Sequence, residues 1–407
     1  MHALLHAQVP YPPIMAKTRK KEQHIAVFGE SGSGKTVLLS SFFGATQEPS
    51  YAKDHQFRVV AEDVGQGHRL LQNYYRMRSS AQVPQATRFR AVPHRFSLSL
   101  KEPLEAKAKK AMPMDALSIV WHDYPGEWFE QDVSGAEEAR RRIDTFRSLL
   151  VSDVALLLVD GQKLLDHAGQ EERYLNTLFA NFRNGLLSLK DDLLEDGKPL
   201  VQFPRIWMVA LTKADLLPEM TVADFKALLV EKAAENLGEL RETIGELVQG
   251  DDALAVGEDF LILSSAKFEA ERIDVGQRIG LELLLPLASV LPFERHVRWA
   301  QTTEVPRKVA EQLLGKATAV GAPAIALTML GTKVLRLPGP VGVVATILST
   351  SLSKDAVTDA ANLAGEKLRT VNAQALEKKQ TLTAILTRFK MDLEQGERDE
   401  VLLRSRR

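Results

Sequence analysis

The chain contains no cysteine, which excludes disulfides, thiol nucleophiles and Cys-ligated zinc and suits a reducing cytoplasm. It also lacks an excess of one charge. The 52 Lys and Arg against 53 Asp and Glu leave a net charge of −1, so nothing in the balance points to nucleic acid as a partner. The 9 histidines are scattered singly, with no ligand-spaced pair to suggest a transition-metal site. No basic segment followed by a long apolar stretch opens the chain, so residues 1–22 read as a flexible segment rather than a secretory signal. Met15 offers a more natural start, and the basic run from Lys17 to Lys21 reads as solvated linker.

What is present is ordinary globular material. An apolar fraction of 45% with 26% charged residues can form a core, and 407 residues allow about two domains. From residue 24 to about 290, short apolar runs alternate with helical pattern: 24–29, 117–122, 153–160, 206–211 and 260–263. That alternation predicts an α/β domain, a mostly parallel sheet flanked by helices. A long insertion at 49–116 interrupts it, with a helix over 65–78 and a strand-like alternation over 95–100. Beyond 290 no further β run is evident, and 291–407 is predicted to be an all-α C-terminal domain.

The run 24–29 leads into Gly29-Glu30-Ser31-Gly32-Ser33-Gly34-Lys35-Thr36, with a helix predicted after it. Glycines at this spacing let successive N–H groups turn inward around phosphate oxygens, and the helix N-terminus favours the anion. Lys35 would neutralise the β- and γ-phosphates and Thr36 would bind Mg²⁺. After the strand 117–122 comes Asp123-Tyr124-Pro125-Gly126. Asp123 is placed to hold the magnesium's water shell, and Gly126 to let its N–H meet a γ-phosphate and swing when it leaves. Glu127 is either a water-positioning base or a surface residue capping the next helix. A metal-contacting switch threonine belongs between the two segments. Thr87 suits that role better than Thr46, which lies too close to the first helix; Arg88 reads as a surface residue.

Thr212-Lys213-Ala214-Asp215 follows the strand 206–211. Asp215 can accept hydrogen bonds from guanine N1–H and its 2-amino group, a donor pair adenine lacks. Lys213 can lie along the base, and Thr212 keeps a hydroxyl for tethering loops. Ser265-Ala266-Lys267 follows the strand 260–263, with the Ala266 N–H assigned to guanine O6. Together the segments point to GTP and GDP rather than adenine nucleotides. The rival classes are an ATP-using P-loop enzyme and a nucleotide-stabilised scaffold with negligible hydrolysis.

These segments, with the Pro84–Arg88 stretch, Asp123–Trp128 (DYPGEW) and a buried strand ending Leu158–Gly161 (LVDG), resemble the YcjX-like bacterial P-loop GTPases of the translation-factor-related class. The resemblance covers roughly 24–270. It implies Gly29, Gly34, Lys35, Thr36, Thr87, Asp123, Gly126, Thr212, Lys213 and Asp215 as nucleotide-site positions, and a membrane-associated or other protein partner. Beyond it lie 16 uncharged residues between Lys316 and Lys333 and 17 more between Arg336 and Lys354. A membrane-spanning helix needs about 20, and Pro323, Pro338 and Pro340 break these stretches further. The segment 317–352 is thus either a pair of small-residue helices within the C-terminal domain or a hairpin that enters a bilayer partway, which would make the protein peripheral to the inner membrane. The apolar seam over 357–389 reads as internal packing or a homodimer contact.

Overall fold

The computed structural model describes residues 21–55, 57–84, 92–100, 117–124, 126–129, 135–150, 152–194, 197–199, 206–248, 256–269, 271–292, 294 and 378–405. Its frame is an eight-stranded sheet in the order β10-β7-β6-β5-β1-β4-β3-β2. The strands are β1 (Lys21–Phe28), β2 (Phe57–Ala61), β3 (Val92–Leu100), β4 (Leu117–Asp123), β5 (Val154–Asp160), β6 (Ile206–Thr212), β7 (Asp259–Ile262) and β10 (Leu402–Leu403). A short hairpin of β8 (Lys267–Phe268) and β9 (Ile273–Asp274) stands apart.

Strands β4, β1, β5, β6 and β7 run parallel. Every residue of β5 and β6 is buried, the continuous apolar signature of strands covered on both faces. One face carries Ala26, Phe28, Leu157 and Trp207, and the other Ile25, Val27, Leu156 and Met208. The described helices are α1 (Lys35–Thr46), α2 (Pro49–Asp54), α3 (Val64–Ser80), α4 (Ala136–Leu150), α5 (Gly161–Asp166), α6 (Glu171–Leu187), α7 (Lys190–Leu193), α8 (Val222–Leu247), α9 (Leu284–Ser289) and α10 (Lys378–Arg398). Local signals set several starts. Asp63 accepts from the Gln66 N–H to cap α3, and Thr221 with Asp224 forms a capping box on α8.

Within the 49–116 insertion, β2 and β3 extend the sheet antiparallel beyond β4. The far end of the chain, 378–405, joins the same sheet and core. Ile385, Phe389 and Leu393 of α10 are buried in the same core as Leu38 and Trp121, and β10 pairs antiparallel with β7. A two-residue strand carries no periodicity to reveal it, and the α10 stripe that reads as a helical seam is spent on the sheet. Phe389 meets Phe57 edge-on at 5.5 Å, joining the C-terminal helix to the insertion. The segment 317–352 and most of the 357–389 seam lie outside the described residues. Among the described residues no helix is long and apolar enough to cross a membrane.

Histidines remote in sequence do meet. His24 Nδ1 and His122 Nε2 lie 2.9 Å apart across β1 and β4, and burial lowers the His122 pKa to about 4, with His24 adding to the effect.

Candidate functional site

Strand order reverses around β1, which lies between β5 and β4. Crevices for ligands open outside the carboxyl ends of parallel strands at such a switch point. A cleft of about 410 Å³ lies there. Ser31, Gly34, Lys35, Thr36 and Gly126 line one end; Thr212, Lys213, Asp215, Ser264, Ser265 and Phe268 line the other; Val83, Pro84 and Gln162 also line it.

The phosphate loop turns on Gly32 (φ 82°) and Gly34 (φ 92°), left-handed positions that favour glycine. A Cβ on either would have open space, so backbone conformation rather than crowding calls for glycine. Gly29 is a glycine for the other reason, since a Cβ there would lie 2.4 Å from Ser33 Oγ. Lys35 is buried, and its ammonium donates to the carbonyls of Gly29 at 2.7 Å and Glu30 at 2.9 Å. Glu30 does not line the cleft; its carboxylate pairs with Lys163 at 2.7 Å.

Asp123 ends β4 with 4% of its surface exposed. Tyr124, fully buried, is a partner the sequence did not disclose. Its hydroxyl accepts from the Gly29 N–H at 2.7 Å, and its ring lies 5.2 Å below the Lys35 ammonium. Gly126 opens a 3₁₀ turn to Phe129 and is pressed onto the phosphate loop: a Cβ would meet Ser31 N at 2.5 Å and Lys35 Nζ at 2.7 Å. Glu127 lies in that turn, and its side chain is outside the described set. Thr87 and Arg88 also lie outside the described residues.

At the other end Thr212 Oγ1 donates to Ser33 O at 3.0 Å and Val159 O at 3.2 Å, joining two loops. Asp215 accepts from Ser264 Oγ at 2.7 Å and from the Phe268 N–H at 3.1 Å. Lys213 adopts the left-handed region (φ 54°) and pairs with Asp160 at 2.7 Å. In the last segment Ser265 lines the cleft, the Ala266 side chain packs with Tyr74, Met77, Ile273 and Val275, and Lys267 pairs with Glu269 at 3.3 Å. The run Ser264-Ser265-Ala266-Lys267 offers two serines, and the turn out of β7 gives Asp215 the first. Asp160, Ser264 and Phe268 were missed because their roles lie in contacts between distant loops.

Among the described residues no three His, Asp or Glu side chains cluster as a metal cage. Mg²⁺ in phosphate-binding sites takes few protein ligands and completes its shell with water and phosphate oxygens. Thr36 on the cleft wall and the buried Asp123 carboxylate at the end of β4 fit that limited demand.

A family model described as Double-GTPase 2 matches residues 23–254. No curated protein sequence matches the chain. Among solved structures, the GTPase-like domain of S. cerevisiae Ski7, bound to GTP, is 14% identical with a TM-score of 0.28, covering 60% of this chain and 43% of that one. An oligomerised bacterial dynamin pair, described as sensing and tethering membranes, is 14% identical with a TM-score of 0.24, covering 94% of this chain and 66% of that one. The chain thus spans less than half of the first of these.

Proposed function

Because the chain belongs to the Double-GTPase 2 family, and so is a GTP-binding P-loop GTPase as the YcjX-like resemblance implied, we propose that it is a bacterial molecular switch that hydrolyses GTP to GDP and phosphate. The observation that carries this proposal is Asp215. Its carboxylate is fixed by Ser264 and Phe268 at one end of a cleft whose other end is the Lys35–Thr36 loop. A carboxylate so held suits the two donors of the guanine edge, a polar match that rejects analogues lacking them.

Lys35 binds the β- and γ-phosphate oxygens in exchange for its loop carbonyls. Thr36 and Asp123, with Thr87 from the switch segment, would hold a magnesium ion, which would supply charge neutralisation to the phosphates when bound. Glu127 orients the attacking water, the Gly126 N–H meets the γ-phosphate, and water oxygen replaces the bridging oxygen on phosphorus as GDP leaves. The output passes to a protein effector or to a membrane through 317–352, from a peripheral, cytoplasmic position.

The test is calorimetric titration with GDP, ADP and xanthosine diphosphate. The parent protein is expected to bind GDP and not ADP. Asp215→Asn is expected to weaken GDP by about 100-fold or more, two lost hydrogen bonds to a charged group, and to accept xanthosine diphosphate instead. A parent that binds ADP as tightly as GDP would overturn the guanine assignment. Single-turnover phosphate release at the background rate would leave a scaffold in place of a hydrolase.

A further inference from the structure

The segment Asp160-Gly161-Gln162-Lys163 at the end of β5 takes no part in the chemistry above, yet it contacts both the phosphate loop and the Thr212–Asp215 segment. The Asp160 side chain is 3% exposed, and its Oδ2 accepts from the Lys213 ammonium at 2.7 Å. Its Oδ1 accepts from the Gln162 N–H at 2.9 Å and caps α5. Gly161 is required by close approach: a Cβ there would lie 2.6 Å from Thr212 O and 3.1 Å from Lys213 O. Lys163 reaches the other way, to Glu30 of the phosphate loop at 2.7 Å. The Tyr174 hydroxyl accepts from the Asp160 N–H at 3.0 Å, while its ring lies 5.9 Å from the Lys163 ammonium.

Lys213 is the partner that needs holding. Its side chain is long and flexible, with rotamer freedom to lose on being ordered. Asp160 limits that freedom through the ammonium from a buried position, where a carboxylate is tolerated because it is paired and hydrogen-bonded.

Resting on the guanine-nucleotide reading, we infer that Asp160 is a positioning residue for the nucleotide base. By anchoring the Lys213 ammonium it lays the lysine stem along the purine face, while Asp215 reads the purine edge. Face and edge are therefore served by different carboxylates, and this separation gives the inference its signature. Loss of Asp160 must weaken every purine nucleotide alike and leave discrimination between bases untouched.

The experiment compares GDP, inosine diphosphate and inorganic triphosphate binding by calorimetry. Asp160→Ala is expected to weaken GDP and inosine diphosphate equally, by about 30-fold, as for truncating one partner of a buried pair, and triphosphate by less than about threefold. Asp160→Asn, which still accepts from Lys213 and Gln162, is expected to recover most of the loss. Lys213→Ala, made at the more exposed end of the pair, must show the same signature, and the double variant must be no weaker than Lys213→Ala alone. Should Asp160→Ala fail to fold, Asp160→Asn and Lys213→Ala carry the test. The inference is overturned if folded Asp160→Ala binds GDP like the parent, or if triphosphate binding falls as far as GDP binding. It is equally overturned if Lys213→Ala changes the ratio of GDP to inosine diphosphate affinity. A parent that binds no GDP would instead bring down the guanine reading itself.

Discussion

The base end and the phosphate end of the cleft are held in opposite ways. At the base end the recognising groups are fixed by protein partners and still face the cleft. Asp215 is held by Ser264 and Phe268, Lys213 by Asp160, and Thr212 ties the segment to Ser33. At the phosphate end the recognising groups are turned onto the protein. The Lys35 ammonium donates to Gly29 and Glu30 carbonyls, and Gly126 is pressed on Ser31. On the proposed reading, base recognition is preorganised and loses little entropy on binding, whereas phosphate recognition exchanges internal partners for phosphate oxygens. The proposed switch would therefore respond at the end that must rearrange, with the number of phosphates rather than the base setting its state.

The largest test of this contrast is Gly126→Ala. The added Cβ would sit 2.5 Å from Ser31 N and 2.6 Å from Glu30 C, backbone atoms that cannot swing aside. Single-turnover phosphate release is expected to fall at least about 100-fold, the scale of losing one oriented donor to developing charge, with GDP affinity within about threefold of the parent. Equal losses of GTP and GDP binding would mean that the two ends are not separable. A smaller effect is expected from Ser264→Ala at the preorganised end. It removes one hydrogen bond to a carboxylate, about 1.5 kcal/mol or tenfold in GDP affinity, and leaves inorganic triphosphate binding unchanged. If triphosphate binding weakened with it, Ser264 would be supporting the whole rim rather than Asp215.

The same contrast explains what the sequence disclosed. The phosphate loop was legible because its chemistry is local: Gly32 and Gly34 need positive φ, and Lys35 and Thr36 follow at fixed offsets. The carboxyl ends of the buried strands placed Asp123 and Asp215 for the same reason. The base end was half legible, because its quality lies in contacts between loops far apart in the chain. Nothing in Ser264-Ser265 says which serine faces Asp215, and nothing in LVDG says that Asp160 reaches Lys213. Nothing in Asp123-Tyr124-Pro125-Gly126 says that the Tyr124 hydroxyl accepts from the Gly29 N–H. The sheet edges were the least legible. β2 lay inside what read as an insertion, and β10 is two residues long, below any period that a pattern could show.

The smallest expected effect lies away from both ends and separates stability from binding. Asp392 of α10 lines no part of the cleft. Burial pushes its carboxyl up from the ordinary 3.8 to about 6, against the lowering influence of Arg388 and with a raising one from Glu282. A raised carboxyl pKa means that the folded protein prefers the protonated form. Its contribution to stability is present below about pH 3.8 and is lost as pH rises through about 6, leaving an unfavourable carboxylate at neutral pH. Two pH units would correspond to ~3 kcal/mol. With the side chain 32% exposed and Arg388 4.0 Å away, screening reduces that to about 1 kcal/mol. Asp392→Asn is therefore expected to raise the unfolding temperature at pH 7.5 by about 2 °C, to give no gain at pH 4, and to leave GDP affinity unchanged. A gain of the same size at both pH values would assign the effect to packing rather than to titration of the carboxyl. A change in GDP affinity would show that the sheet face under α10 and the cleft are energetically one unit, and the independence of the rim from its support would fail.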